Sequence, residues 1–232
     1  MSSKKLNRFY GRRKGRKLSE TSLLALKEGS KYLINNNIFS SNPKLLLENL
    51  FGVKPKKIIL EIGFGGGENL INSAKMNPDN LYIGADPFLN TNARCLKELL
   101  NSNIKNVKIW PDDIRQIIKL FPLNTFSEIK ILFPDPWPKF KHKNRRLIQN
   151  DFLSSLCKIL KPHGVITIGT DHFIMKSWIL ETFQTHPGFK WKAQDASDWR
   201  TRPSDCFETK YEKKSIIENR KPNWFIFEKK IT

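Results

Sequence analysis

The 232-residue chain is predicted to be an α/β protein with a largely parallel, seven-stranded sheet and helices on both faces. Three observations point there. Strand-length apolar runs alternate with helical patterns, an acidic residue recurs where those runs end, and a glycine-rich turn joins the first run to the first helix.

Taken in order, the elements are these. The run at 57–63, KIILEIG, is a buried strand, ENLINSAKM at 68–76 a helix, and NLYIGAD at 80–86 a second strand, the rhythm of a βαβ unit. A helix from about Leu89 to Leu100 leads to the strand NVKIW at 106–110 and a helix near 114–121. The strand EIKILF at 128–133, a helix near 145–160, and the strand GVITIG at 164–169 continue the alternation. The helix FIMKSWILETFQ precedes two late strands, GFKWKAQ and NWFIFEKK. No apolar run approaches the roughly 20 residues that span a bilayer, so no membrane span is expected and the protein is expected to be soluble.

Charge bounds the partners. Lys and Arg total 41 against 22 Asp and Glu, a formal net charge of +19, which concentrates polyanions around the protein and makes nucleic acid the leading partner and an anionic membrane surface the second. Part of that charge lies at the start. Residues 1–17 carry Lys4, Lys5, Arg8, Arg12, Arg13, Lys14, Arg16 and Lys17 without an acid and without apolar periodicity. Residues 1–20 are therefore expected to form a disordered basic arm, and 21–232 a single domain. The other readings of the arm are a solubilising tail and a transit peptide, the latter disfavoured because Leu6, Phe9 and Tyr10 make a poor apolar face.

Five acids, Glu61, Asp86, Asp113, Asp135 and Asp171, lie at or just past the carboxyl ends of successive predicted strands, the edge where open α/β sheets bind ligands. Gly63, Gly65, Gly66 and Gly67 allow positive φ and close approach of a ligand to the backbone. A dinucleotide is disfavoured because Glu68 stands where the third glycine of its fingerprint belongs, at the helix start where a pyrophosphate would sit. A cofactor with ribose and cationic groups but no phosphate suits such a rim, and S-adenosylmethionine is that cofactor. Asp86 is placed to accept from both ribose hydroxyls. Asp113 is placed near the adenine end, with Asp112 as the substitute in a register shifted by one and a helix N-cap as the structural alternative.

The stretch FPDPWPKFKHKNRR at 133–146 sets an acid and an aromatic ring in a proline-framed turn and follows them with cations. Pro134, Pro136 and Pro138 fix φ and remove amide donors, so the turn must be stiff and must leave the sheet. Asp135 can meet the edge of an unstacked base beside Trp137, while Lys139, Lys141, Lys143, Arg145 and Arg146 hold phosphates. Cys95, Cys157 and Cys206 are odd in number and widely spaced, which suggests neither disulfides nor zinc and fits a reducing compartment. His142, His163, His172 and His186 show no metal-ligand spacing, so no metal is expected.

The motifs FYGRRKGR, LEIGFGGGE, YIGADPF, FPDPWPKFKHKNRR, TDH and TKYEKK together resemble those of the bacterial tRNA (guanine-N7-)-methyltransferases, a branch of the Rossmann-like class I methyltransferases. The resemblance covers nearly the whole chain. It implies a cytoplasmic enzyme that transfers the methyl of S-adenosylmethionine to N7 of guanosine 46 in the tRNA variable loop. It implies cofactor contacts at Glu61, Gly63, Gly65, Asp86, Asp113 and Asp135, with Asp135 as the catalytic group. It further implies substrate contacts at Lys139, Asp171 and the run Thr209, Lys210, Tyr211 and Glu212, and RNA backbone contacts at Arg12, Arg13, Lys141, Lys143, Arg145 and Arg146. The family more often has Glu where Asp86 stands, which shortens the reach to the ribose by one methylene. Nothing in the sequence calls for an obligate protein partner.

N7 of guanine already presents a lone pair, so Asp135 is expected to orient the base and stabilise charge rather than to take a proton. Removal of residues 1–17 is expected to weaken tRNA binding and to leave cofactor affinity unchanged. The competing readings are a non-catalytic RNA-binding scaffold, an NAD-dependent oxidoreductase, and a methyltransferase with a DNA or protein target.

Overall fold

The computed structural model describes residues 9–34, 51–52 and 55–231. Its sheet has the order β3-β2-β1-β4-β5-β7-β6. Here β1 is Ile58–Ile62, β2 Leu81–Ala85, β3 Val107–Trp110, β4 Phe126–Leu132, β5 Leu160–Thr170, β6 Phe189–Trp191 and β7 Asn223–Lys229. Only β7 runs against its neighbours, pairing antiparallel with both β5 and β6; the other pairings are parallel. The topology turns back between β1 and β4, and the crevice at that switch point is where the site forms.

Strand periodicity divides the core in two. Leu60 and Ile62 point to one face with Ile129, Ile131, Ile166 and Ile168, under α4 (Asn150–Ile159) and α5 (Phe173–Thr185). Ile59, Tyr82 and Ile109 point to the other, under α2 (Glu68–Met76) and α3 (Leu89–Ser102). A short helix, α1 (Glu20–Glu28), capped by Ser19, packs on α3, and Gly29 beside it lies so close that a Cβ there would meet Leu96 at 2.9 Å. Two small helices complete the order: α6 (Ser197–Arg200) and α7 (Lys210–Ile217).

Several expectations are corrected. Residues 114–121 form two short 3-10 turns rather than a helix, because Asp113 caps the first and Ile117 breaks off before Ile118 begins the second. The helix expected from 145 starts at Asn150; a 3-10 segment covers Phe140–Arg145, and Arg146 is extended with its side chain turned inward. The β5 strand begins at Leu160, and β6 keeps only three residues of GFKWKAQ. The basic arm is described from residue 9, and residues 9–17 are docked on the domain rather than free, as detailed below.

Candidate active site

The loops that leave the carboxyl ends of β1, β2, β3 and β4 enclose a cavity of about 650 Å³, within the range of small-molecule sites. Its wall includes Gly63, Gly65, Asp86, Asp113, Asp135, Trp137 and Tyr211. Gly63 has φ +77°, and nothing lies within 4 Å of where its Cβ would be. A side chain at Gly63 would be strained and would project where the backbone now leaves room for a ligand.

Asp86, just past β2, is 6% exposed. Its Oδ2 accepts from the Gly65 amide at 2.9 Å, and its Oδ1 from the Phe88 amide at 2.8 Å and the Thr91 hydroxyl at 3.1 Å. Burial raises its pKa, opposed by those three donors. The same bonds fix the carboxylate relative to the glycine turn, and each oxygen retains acceptor capacity. Asp113 caps the 3-10 turn after β3 and is gripped by the Arg115 guanidinium, with Nε at 3.0 and 2.9 Å and Nη2 at 2.6 Å. Both Asp113 and Arg115 line the cavity, whereas Asp112 is turned to Arg13 and the Asp113 amide.

Asp135 stands on the opposite wall, in the proline turn after β4. One side of it is open to solvent, yet the protein crowded around the concave wall raises its pKa by desolvation. The turn is tight: Phe133 and Trp137 have φ of 54° and 39°. It is held from below by Arg146, 5% exposed, whose Nε donates to the Pro136 carbonyl at 3.2 Å and Nη2 to the Trp137 carbonyl at 3.3 Å, with its guanidinium 4.6 Å from the Trp178 ring. Arg146 is therefore part of the turn's foundation, not a phosphate-facing cation.

Lys139 and Lys141 are exposed, and Lys143 lies 4.6 Å over the Phe140 ring. Arg145 sits between the rings of Tyr10 and Trp137, at 5.4 and 5.0 Å. Tyr10 belongs to a strap, residues 9–17, across the cavity mouth. Phe9, Tyr10, Gly11 and Arg12 line the cavity; Arg13 bonds Asp112 at 2.5 Å and gives its carbonyl to the Leu89 amide, and Asn90 bonds both Gly15 and Arg16. The strap thus reaches from the β3 side to the β4 side.

Two rim acids are outside the cavity. Glu61 is the fourth residue of β1, 3% exposed, and accepts from Asn69 Nδ2 at 2.7 Å. Burial pushes its pKa up to about 7, against the pull of Asn69 and Lys130. Asp171 is bound by Arg220 Nε at 2.6 Å. Of the run 209–212, Tyr211 alone lines the cavity, and burial together with Asp135 and Asp86 raises its pKa. Thr209 caps α7 by accepting from the Glu212 amide, and Glu212, 5% exposed, takes Arg202 Nη1 at 3.0 Å; Lys210 is exposed. Sequence reasoning missed Arg115, Arg202, Asn69 and the strap aromatics Phe9 and Tyr10. The pattern T-x-x-E at 209–212 was a readable helix-start signal.

A protein-family profile described as putative methyltransferase matches residues 55–225. A tRNA (guanine-N(7)-)-methyltransferase of Rhodospirillum rubrum is 35% identical over 224 residues, 96% of this chain and 88% of that protein. The chain belongs to the tRNA (guanine-N(7)-)-methyltransferase family. Its relatives of that name include one from Agrobacterium fabrum, 35% identical over 94% of each chain, and one from Roseobacter denitrificans, 36% identical over 94% of each. Among solved structures, the 16S rRNA methyltransferase KamB superposes with a TM-score of 0.60 at 12% identity, covering 83% of this chain and 96% of that one. The aminoglycoside resistance methyltransferase NpmB1 does so with 0.55 at 13%, covering 82% and 94%. These two likenesses establish the fold, a Rossmann-like methyltransferase sheet, and family membership makes the chain a methyltransferase. Among the described residues there is no helix long and apolar enough to cross a membrane and no cluster of His, Cys, Asp and Glu able to hold a metal.

Proposed function

We propose that the protein methylates N7 of a guanosine in tRNA, guanosine 46 of the variable loop, with S-adenosylmethionine as the donor, in the cytoplasm where its substrate is found. The observation that carries this reading is the single cavity that holds Asp86, Asp113, Asp135 and Tyr211 beside the Trp137 turn. It is acidic where a cationic, phosphate-free cofactor would lie, and Glu68 at the helix start is paired with Arg94 at 3.1 Å rather than free to a pyrophosphate. The cofactor, when bound, supplies a methyl group on a positively charged sulfur.

Asp86 would take the ribose hydroxyls on the acceptor capacity its three donors leave, and Gly63 and Gly65 would pass close under it. Asp113, neutralised by Arg115, would border the adenine. Asp135 and Trp137 would receive the guanine, the carboxylate bonding the base edge and the ring flanking it. Because N7 needs no deprotonation, Asp135 orients the base and offsets the positive charge that the purine gains. Lys139, Lys141 and Lys143 would meet neighbouring phosphates.

Labelled S-adenosylmethionine with unmodified bulk tRNA, followed by nucleoside digestion, tests this. The expected product is 7-methylguanosine, absent with Asp135→Ala while cofactor binding persists. Cofactor binding without transfer to tRNA would leave the fold assignment standing and reject the substrate.

A further inference from the structure

Thr209, Tyr211 and Glu212 follow a loop that is anchored to the sheet by two buried polar side chains. Asn69, in the first turn of α2 and 1% exposed, has both ends of its amide engaged: Nδ2 donates to Glu61 Oε2 at 2.7 Å, and Oδ1 accepts from the Phe207 amide at 2.8 Å. Lys130 faces Glu61 directly across the β1–β4 ladder. With its side chain 4% exposed, it donates to the Asp205 carbonyl at 2.6 Å and pairs with the Asp205 carboxylate at 2.9 Å. Between the two ties, Cys206 is buried against Leu132 and Trp224.

Asn69 is not part of the cavity wall, and neither is Glu61. What Asn69 does is join the strand that ends in the glycine turn to a segment 138 positions later in the chain. The planar amide places one donor and one acceptor side by side, so a single side chain can satisfy a buried carboxylate and a partly buried backbone N–H at once. Since a misplacement of about 1 Å between reacting groups can cost on the order of a hundredfold in rate, the distance between these two segments matters to transfer.

We propose that Asn69 is a positioning residue that sets the loop 205–208, and through it Tyr211 at the cavity wall, in register with the glycine turn, with Lys130 as the second tie. The inference rests on the function proposed above. Asn69 therefore acts on the acceptor side of the reaction more than on cofactor binding.

Three measurements on full-length protein test it: steady-state kinetics with tRNA, calorimetric binding of S-adenosylhomocysteine, and amide exchange over residues 205–209. For Asn69→Ala the expected result is a KM for tRNA raised roughly tenfold, the scale of one lost buried hydrogen bond. Cofactor Kd should stay within about twofold, and exchange at 205–209 should quicken. Asn69→Asp keeps the shape, so it guards against a simple folding failure. In either protonation state an Asp at this position keeps an oxygen that can accept from the Phe207 amide. That variant should therefore hold the loop, with exchange at 205–209 close to wild type. Unchanged tRNA KM and exchange in Asn69→Ala, or a cofactor Kd that rises in step with KM, would overturn the proposal. If the wild type methylates no tRNA, the proposed function fails instead, and the exchange measurement still decides whether Asn69 ties the loop.

Discussion

Replacing Arg146 by methionine separates two roles that the sequence runs together in the cluster from Lys139 to Arg146. The guanidinium makes two hydrogen bonds to carbonyls of the proline turn, at 3.2 and 3.3 Å, and lies 4.6 Å from the Trp178 ring. Both bonds are at the long end of the range, so about 1 kcal/mol is assigned to each, and about 1 kcal/mol to the ring contact. The loss is then about 3 kcal/mol. For a protein of this size that corresponds to a fall in Tm of about 6–12 °C. Freed carbonyls loosen the turn that carries Asp135, so kcat should fall with it, whereas the dependence of tRNA binding on salt should keep its slope. Thermal unfolding and tRNA binding over a salt series are the assays. Lys141→Ala is the control: it should leave Tm alone and reduce the salt slope by about 0.7–0.9, the share of one phosphate contact. An Arg146→Met protein with wild-type Tm and a reduced slope would refute the structural role and return Arg146 to the RNA surface.

Two further outcomes follow from buried or covering groups. Deleting residues 1–12 removes Phe9, Tyr10, Gly11 and Arg12 from the cavity wall, so S-adenosylhomocysteine affinity should drop by about fivefold, contrary to the sequence-based expectation of no change; an unaltered calorimetric Kd would show that the strap does not cover the cofactor. The Glu61 carboxyl is raised from 4.5 to about 7 in the fold, so the native state binds the extra proton between those values and stability must fall as pH rises through that window. The difference amounts to about 3 kcal/mol, and Glu61→Gln should flatten it, as read from urea unfolding at pH 5 and pH 8; equal pH dependence in both proteins would remove Glu61 as its source.

The strands were legible because each is a short, buried run with β-branched residues: Ile58–Ile62, Val107–Trp110 and the second half of β5 all follow that pattern. Strand order beyond the βαβ rhythm was not, since nothing local in NWFIFEKK says that it enters between two other strands. Residues 114–121 carry helical spacing, yet their apolar side chains are buried by two tight turns that pack Ile114, Ile117 and Ile118 on the sheet. That Asp86, Asp113 and Asp135 would share one rim was readable from their positions after strands. Glu61 and Asp171 satisfied the same rule but found partners, Asn69 and Arg220, whose approach depends on tertiary contacts 8 and 49 positions away. Arg145 and Arg146 show the limit most directly: adjacent in sequence and alike in charge, one is clasped at the mouth of the cleft and the other is buried beneath it. Side-chain direction, which composition does not encode, separates them.

Phe9 and Tyr211 line the same cavity although roughly two hundred positions separate them. A nascent chain emerging from the ribosome can pair β1, β2, β3 and β4 early, but the wall of the cleft waits for a residue made well after them. Closure of so long a loop is entropically slow. A translation product stopped before Tyr211 therefore has most of a sheet and an unfinished cleft, and the binding site is completed only after the strands that frame it.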